Sequence, residues 1–247
     1  MSSSLYHTLN ISRQDLLSKL TDLDVTSNNL ANVNTVGFRS SRSNFQELLD
    51  KQVKTGSKNV STQMSVTQGT VKISDNPLDW AIQGDGFFSV TLPDKKIGYT
   101  RDGQITMDSK RTLVTASGFP LVWDGTIAEG MSNINIDSAG SVTATKADGS
   151  VATLGTVKLT RFTNPTALGI NGSNILLETT TSGKPQVGVA GSENFGTISG
   201  KLLEQSNVNL SREMTQLIAL QRSFSMSIKA FQQTDTMISE AINLRKA

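Results

Sequence analysis

The last thirty-odd residues constrain this chain most. Leu210, Met214, Leu217, Gln221, Phe224, Ile228, Phe231, Asp235, Ile238, Ile242 and Arg245 recur at alternating spacings of four and three without a slip. In the Leu210 register every seventh residue is large and apolar: Leu210, Leu217, Phe224, Phe231 and Ile238. The second seam position alternates apolar and polar through Met214, Gln221, Ile228, Asp235 and Ile242. Such a repeat predicts one long helix with a coiled-coil-like seam, roughly 50 Å from end to end. Asn209 or Ser211 can cap its start.

The residues beside the seam are unusual. Ser211, Ile218, Ser225, Gln232 and Ser239 lie on one side, and Glu213, Leu220, Ser227, Thr234 and Ala241 on the other. Only Glu213 is charged, whereas a two-stranded coiled coil selects its partner with charges there. Small, uncharged flanks suit a helix with helical neighbours on several sides. An amphipathic helix lying on a globular core is the plainer alternative.

A weaker copy of the pattern opens the chain, over residues 4–34. Leu9, Leu16, Leu23 and Leu30 recur every seven residues, Leu20 shares their face, and Arg13 and Ser27 hold partner positions. The two terminal helices can share one seam and bring the chain ends together. Asn28-Asn29-Leu30-Ala31-Asn32-Val33-Asn34 and Gly37 then form a stop signal, because Asn and Gly tolerate left-handed backbone.

Between the helices the composition changes. All five prolines fall between Pro77 and Pro185, and nineteen of the twenty glycines between Gly56 and Gly200, Gly37 being the exception. Lys51 to Gln68 is polar and reads as a linker or a surface strand. Short strands are predicted at 87–92, 97–101, 104–107, 112–115, 121–123, 134–137, 141–145, 156–162 and 174–180. Pro93-Asp-Lys-Lys, Asp102-Gly103 and Asp108-Ser-Lys supply turns, and Asp102-Gly103 is a strong hairpin signal. Gly191–Gly200 reads as a loop. The expected fold class is α+β: N- and C-terminal helices forming a coiled-coil-like core domain (1–35 plus 205–247), an extended linker region (36–75), and a central, mostly antiparallel β-rich domain (76–204).

Little in the chain points to chemistry. There is no cysteine, hence no disulfide, thiolate or Cys-held metal. The single histidine, His7, has no motif around it. Gly84-Asp-Gly86 precedes a strand where a phosphate-binding loop needs a helix. Asn171-Gly-Ser173 is more simply a turn than a glycosylation site. A net charge of +2 and a small Lys51, Lys54, Lys58 run without interleaved aromatics argue against nucleic acid. No run of apolar residues is long enough to cross a membrane. No enzyme, cofactor or metal site is expected.

Three stretches resemble one family. The Asn28–Phe38 run, continued by Arg39-Ser-Ser-Arg-Ser-Asn-Phe45-Gln-Glu-Leu-Leu49, is similar to the N-terminal signature of bacterial flagellar rod and hook proteins. Asp75–Phe88, Tyr99–Pro120 and Thr163–Pro185 resemble that family's central region, and Ser206-Asn-Val-Asn209 before a long seam resembles its C-terminal signature. Hook subunits are much longer in the middle, so the length favours the rod. Ser206–Asn209, Tyr99-Thr-Arg-Asp-Gly103 and Leu113–Phe119 look closest to the distal rod members, with the proximal ones second. Distal members carry a longer insertion after the Leu48–Leu49 position.

The resemblance implies a self-assembling structural subunit of the basal-body rod, the drive shaft that carries motor torque to the hook across the periplasm. Implied partners are further copies of the chain, other rod proteins and the hook protein, the flagellar type III export apparatus and the outer ring bushing proteins. The expected assembly interface is Leu9, Leu16, Leu23, Leu30, Asn28, Asn29, Asn32, Leu210, Leu217, Phe224, Ile228, Phe231, Ile238 and Ile242. No cleavable secretory signal is visible at residues 1–7, so export with the N-terminus retained is expected. The competing reading is a soluble oligomeric binding module on a helical stalk.

Overall fold

The computed structural model describes residues 2–47 and 57–244, with side chains from 10–44 and 62–239. The fold is α+β. Helix α1 spans Ser2–Ala31 and helix α2 spans Leu210–Leu244. Asn209 caps α2, its Oδ1 accepting from the Arg212 N–H at 3.1 Å. Helix α1 stops three residues before the predicted end. At Asn32 the chain turns, with the Thr35 N–H donating to the Asn32 carbonyl at 3.1 Å. Leu48, Leu49 and Arg245 lie outside the described residues.

The chain divides into two compact units. One, the helical unit, takes in Met1–Ala31, Ser41–Gln63 and Asn209–Ala247; the other, the β unit, takes in Asn32–Ser40 and Met64–Val208. In the region predicted as linker, Ser41–Glu47 and Ser57–Met64 pair as a two-stranded sheet.

The strand pairings described in the β unit are all antiparallel. One four-stranded sheet runs in the order Gly169–Ile170, Leu176–Leu177, Ile97–Thr100, Phe88–Thr91; another runs Ser132–Ile136, Ser141–Thr145, Val151–Thr156, Asp124–Gly125. Alternation sets the inward faces: Val142 and Ala144 are buried while Ser141, Thr143 and Thr145 are not. Trp80, Ile82, Phe88, Val90, Leu159 and Ile198 form the centre of the core. A second cluster holds Phe87, Tyr99 and Phe162, with Tyr99 edge-on to Phe162 at 4.7 Å between ring centroids.

Two local readings change. Gly191–Gly200, read as a loop, ends in a strand: Thr197–Gly200 pairs residue for residue with Trp80–Gln83. Asp102-Gly103 does not make a hairpin between its flanking strands. Ile97–Thr100 pairs with Phe88–Thr91, and Ile105–Met107 pairs with Leu113–Thr115. Gly103 is needed for close approach instead. A Cβ there would lie 1.5 Å from the Trp80 carbonyl oxygen, and the Trp80 N–H donates to the Gly103 carbonyl at 2.9 Å. The Pro93 and Asp108 turns do close hairpins, through Lys95 N to Leu92 O and Arg111 N to Asp108 O.

Asp102 is held in this crossing with its Oδ1 accepting from the Gln104 N–H at 2.9 Å. Burial pushes its carboxyl up from 3.8 to about 6, opposed by the Gln104 hydrogen bond and reinforced by the charge of Asp79. The folded chain therefore holds this proton more tightly than the unfolded one. The resulting stability is full below about pH 4 and is lost as pH rises through about 6. Asp102→Asn keeps the acceptor and removes the titration. Wild type should lose roughly 2–3 kcal/mol relative to D102N between pH ~3.5 and ~7.5, read by denaturant unfolding with tryptophan fluorescence. A pH-independent gap between the two proteins would refute the buried-carboxyl account.

Candidate assembly interface

Helices α1 and α2 pack together within the helical unit. Asn29 Nδ2 donates to Glu213 Oε2 at 3.4 Å, and Ser227 Oγ donates to Asp15 Oδ2 at 2.7 Å. Moving back along α1 from Asn29 to Asp15 matches moving forward along α2 from Glu213 to Ser227, so the helices run antiparallel. Leu16, Leu23 and Leu30 of α1 and Leu217, Phe224, Ile228, Phe231 and Ile238 of α2 are half-buried. Leu210 is 47% exposed. The side chains of Leu9 and Ile242 lie outside the described residues.

The seam's second position agrees with the sequence reading only in part. Ile228 is half-buried, but Met214, Gln221 and Asp235 are exposed, whereas Glu213, Leu220, Ser227 and Thr234 are half-buried. On α1, Arg13, Leu20 and Ser27 are exposed, while Lys19 is half-buried and Thr26 buried. Both helices thus keep the seven-residue apolar row and turn the opposite flank towards each other. The outcome is a poorly sealed pair: among the described side chains of the helical unit, the buried ones are Thr26, Asn29 and Ser41, all polar.

Of the expected asparagines, Asn29 has the clearest geometry. Its Nδ2 donates to the Ser41 carbonyl and its Oδ1 accepts from the Ser41 N–H, each at 2.8 Å. The side chain thereby acts as a strand partner for the backbone where Ser41–Glu47 begins. Asn32 Oδ1 accepts from Thr35 Oγ1 at 3.1 Å in the turn that follows α1. Asn28 is exposed on the last turn of α1 and also makes an interaction.

Sequence reasoning did not single out the charge cluster of the β unit. Glu204 is buried, and its Oε1 accepts from Arg39 Nη2 at 2.8 Å and from the Gly69 N–H at 3.0 Å. Its Oε2 accepts from Arg101 Nη1 at 3.2 Å. Arg101 Nη2 donates to the Gly84 carbonyl at 2.7 Å, and its guanidinium lies 5.3 Å from the Phe87 ring centroid. Arg39 Nη1 also donates to the Thr67 carbonyl. Burial lowers the pKa of Arg39, against the opposing pull of Glu204. Burial, with the neighbouring charge of Arg39, lowers Arg101 to about 10, so Arg101 stays protonated at neutral pH.

Backbone bonds tie the same segments together. The Gly37 N–H donates to the Glu204 carbonyl at 2.7 Å, and Asn207 N–H to the Phe38 carbonyl at 3.3 Å. Asn207 Oδ1 accepts from the Ser40 N–H at 2.7 Å. Gly37 has φ +64°, and a Cβ there would stand 2.4 Å from the Arg101 carbonyl carbon, so both conformation and space demand glycine. Residues 36–40, 99–103 and 204–207, from three separate parts of the sequence, thus meet in one cluster. The only local signal was charge inside otherwise neutral motifs.

The comparisons agree with this convergence. Residues 19–39 match the family model "Flagella basal body rod protein", residues 81–144 match "Flagellar hook protein FlgE/F/G D1 domain", and residues 199–244 match "Flagellar basal body rod FlgEFG protein C-terminal". The chain is 36% identical to the flagellar basal-body rod protein FlgG of Borreliella burgdorferi, over 91% of this chain and 93% of that one. It is 35% identical to FlgG of Caulobacter vibrioides, over 91% and 94% of the two chains. The rod protein FlgF of Mesorhizobium japonicum is 32% identical, over 89% and 90%.

Removing one partner of a buried ion cluster strands the others. Glu204→Ala should destabilise the full chain by about 3–5 kcal/mol, because two desolvated guanidinium groups lose their shared carboxylate. Denaturant unfolding followed by tryptophan fluorescence reads this directly, since both tryptophans, Trp80 and Trp123, lie in the β unit. A loss below about 1 kcal/mol, the range of exposed pairs, would show that the cluster does not hold these segments.

Proposed function

The chain belongs to the bacterial flagellar rod and hook family, and from that membership we propose how it builds the rod: by burying its terminal helices among those of neighbouring subunits. It is a structural subunit of the flagellar basal-body rod, not an enzyme, and it assembles with other rod and hook components.

The supporting observation is the unfinished helical unit. Helices of 30 and 35 residues pack together with no apolar side chain buried among those described. Leu210 and Met214, at 47% and 48% exposure, border the packed face of α2, Ile218 and Met226, at 50% and 69%, point away from it, and Met237 is 64% exposed. Leu17 and Leu20 of α1 are 53% and 45% exposed. Burying the exposed half or more of each such side chain gains roughly 1–2 kcal/mol. Apolar residues on more than one side of a helix call for more than one neighbour.

In this reading the terminal segments, 1–35 and 205–247, carry the coiled-coil-like contacts between subunits. The β-rich middle, 76–204, forms an outer domain, and 36–75 contributes to both units. The polymer is the shaft that carries torque to the hook. The FlgG relatives favour the distal stretch of the rod. Delivery by the flagellar type III export apparatus and passage through the outer ring bushing proteins complete the proposal.

Met226→Asp and Met237→Asp test it. Both positions face water in the single chain, so the melting temperature of the purified protein should stay within about a degree of wild type, since exposed substitutions change stability little. In cells, an aspartate forced into an apolar contact should abolish incorporation into basal bodies and swimming in soft agar. Wild-type incorporation of both variants would sink the several-neighbour reading.

A further inference from the structure

We infer that the cleft beside the arginine cluster receives one carboxylate, the side chain of an aspartate or glutamate on a neighbouring rod subunit. This rests on the assembly reading above. The cleft has a volume of about 190 Å³ and is lined by Arg39, Asp85, Phe87, Arg101, Arg161 and Phe162 among others.

Charge sets the valence of the guest. Three guanidinium groups, Arg39, Arg101 and Arg161, gather here with two carboxylates, Glu204 behind the cleft and Asp85 on its wall. One positive charge is left over. Arg39 and Arg101 share the single Glu204, and Arg161 has no ion-pair partner among the described residues. A monoanion neutralises the set, and a dianion overshoots it with Asp85 alongside.

The cluster also holds an unsatisfied donor. Arg101 has a side chain only 5% exposed, and its Nε is buried without a hydrogen-bond partner among the described residues. Buried polar groups are rarely left so, and those that are need an explanation. A carboxylate at the cleft would supply a charge-assisted acceptor to a guanidinium edge.

Size and lining suit a short acidic side chain better than a cofactor-sized ligand. Sites for drug-sized molecules run to roughly 300–1,000 Å³, well above this cleft. Phe87 and Phe162 offer ring surface to the CH₂ stem of an acidic side chain, where a strongly hydrated inorganic ion would lose its water unrepaid.

Two measurements decide it. The first follows the guanidinium Nε–Hε signals of the purified full-length ¹⁵N-labelled chain while sodium propionate is added against equal sodium chloride. The Arg101 signal should shift saturably, and Arg161→Gln should weaken the apparent Kd about tenfold, the loss of one charge-assisted contact. No saturable shift, or tighter binding of inorganic phosphate than of propionate, overturns the site. The second expresses Arg161→Glu in cells: the reversed charge should cut incorporation into basal bodies while leaving the purified chain folded. Wild-type incorporation of R161E overturns the neighbouring carboxylate as guest. That failure is separate from failure of the assembly reading, which the methionine variants of α2 report on without touching the cleft.

Discussion

Glu204 is a carboxylate withdrawn from water between two guanidinium groups, and the β unit is arranged around keeping it there. Its partners come from far apart: Arg39 follows the turn after α1, Arg101 directly follows the strand Ile97–Thr100, and Glu204 ends the strand before the lead-in to α2. A buried charge tolerates no slack, because any segment that drifts leaves an unpaired ion in low dielectric. The cluster therefore fixes the conformation of residues 36–40 and 204–207 as they leave the β unit. Gly37 and Asn207 repeat the same constraint with backbone hydrogen bonds. Buried ion pairs add little net stability over apolar packing, but they penalise misplacement heavily.

The helical unit shows the opposite economy. Where the β unit buries Trp80, Phe88 and Ile198 completely, the helical pair leaves its apolar row half covered and its methionines in water. On the assembly proposed above, neighbouring subunits would cover this exposed apolar surface. The β unit folds its core from its own chain.

The long helices and the β middle were legible in the sequence, because both rest on local periodicity. A residue every seven on one face makes a helix whatever surrounds it, so Leu217, Phe224, Phe231 and Ile238 already marked α2. Breaker residues confined between Gly56 and Gly200 already marked where strands and turns would lie. The seam's second side was not legible. Met214, Gln221 and Asp235 sit as near the apolar row as Glu213, Leu220 and Thr234 do, and no charge pattern distinguishes the flanks. Only the partner helix chose between them. Asp102-Gly103 misled for a similar reason: a glycine that turns a hairpin and one that lets two backbones cross look alike until the second backbone, here Trp80, is in place.

The sequence by itself determined the two long helices, the α+β class and the family, since these depend on spacing and on motifs read along the chain. Tertiary structure alone decided that Arg39, Arg101 and Glu204 form one site and that Arg161 stands beside them. Those residues are separated by dozens of positions, and no period links them. Their meeting depends on sheet register and on two glycines that let backbones approach, which are properties of the folded chain and not of any stretch of it.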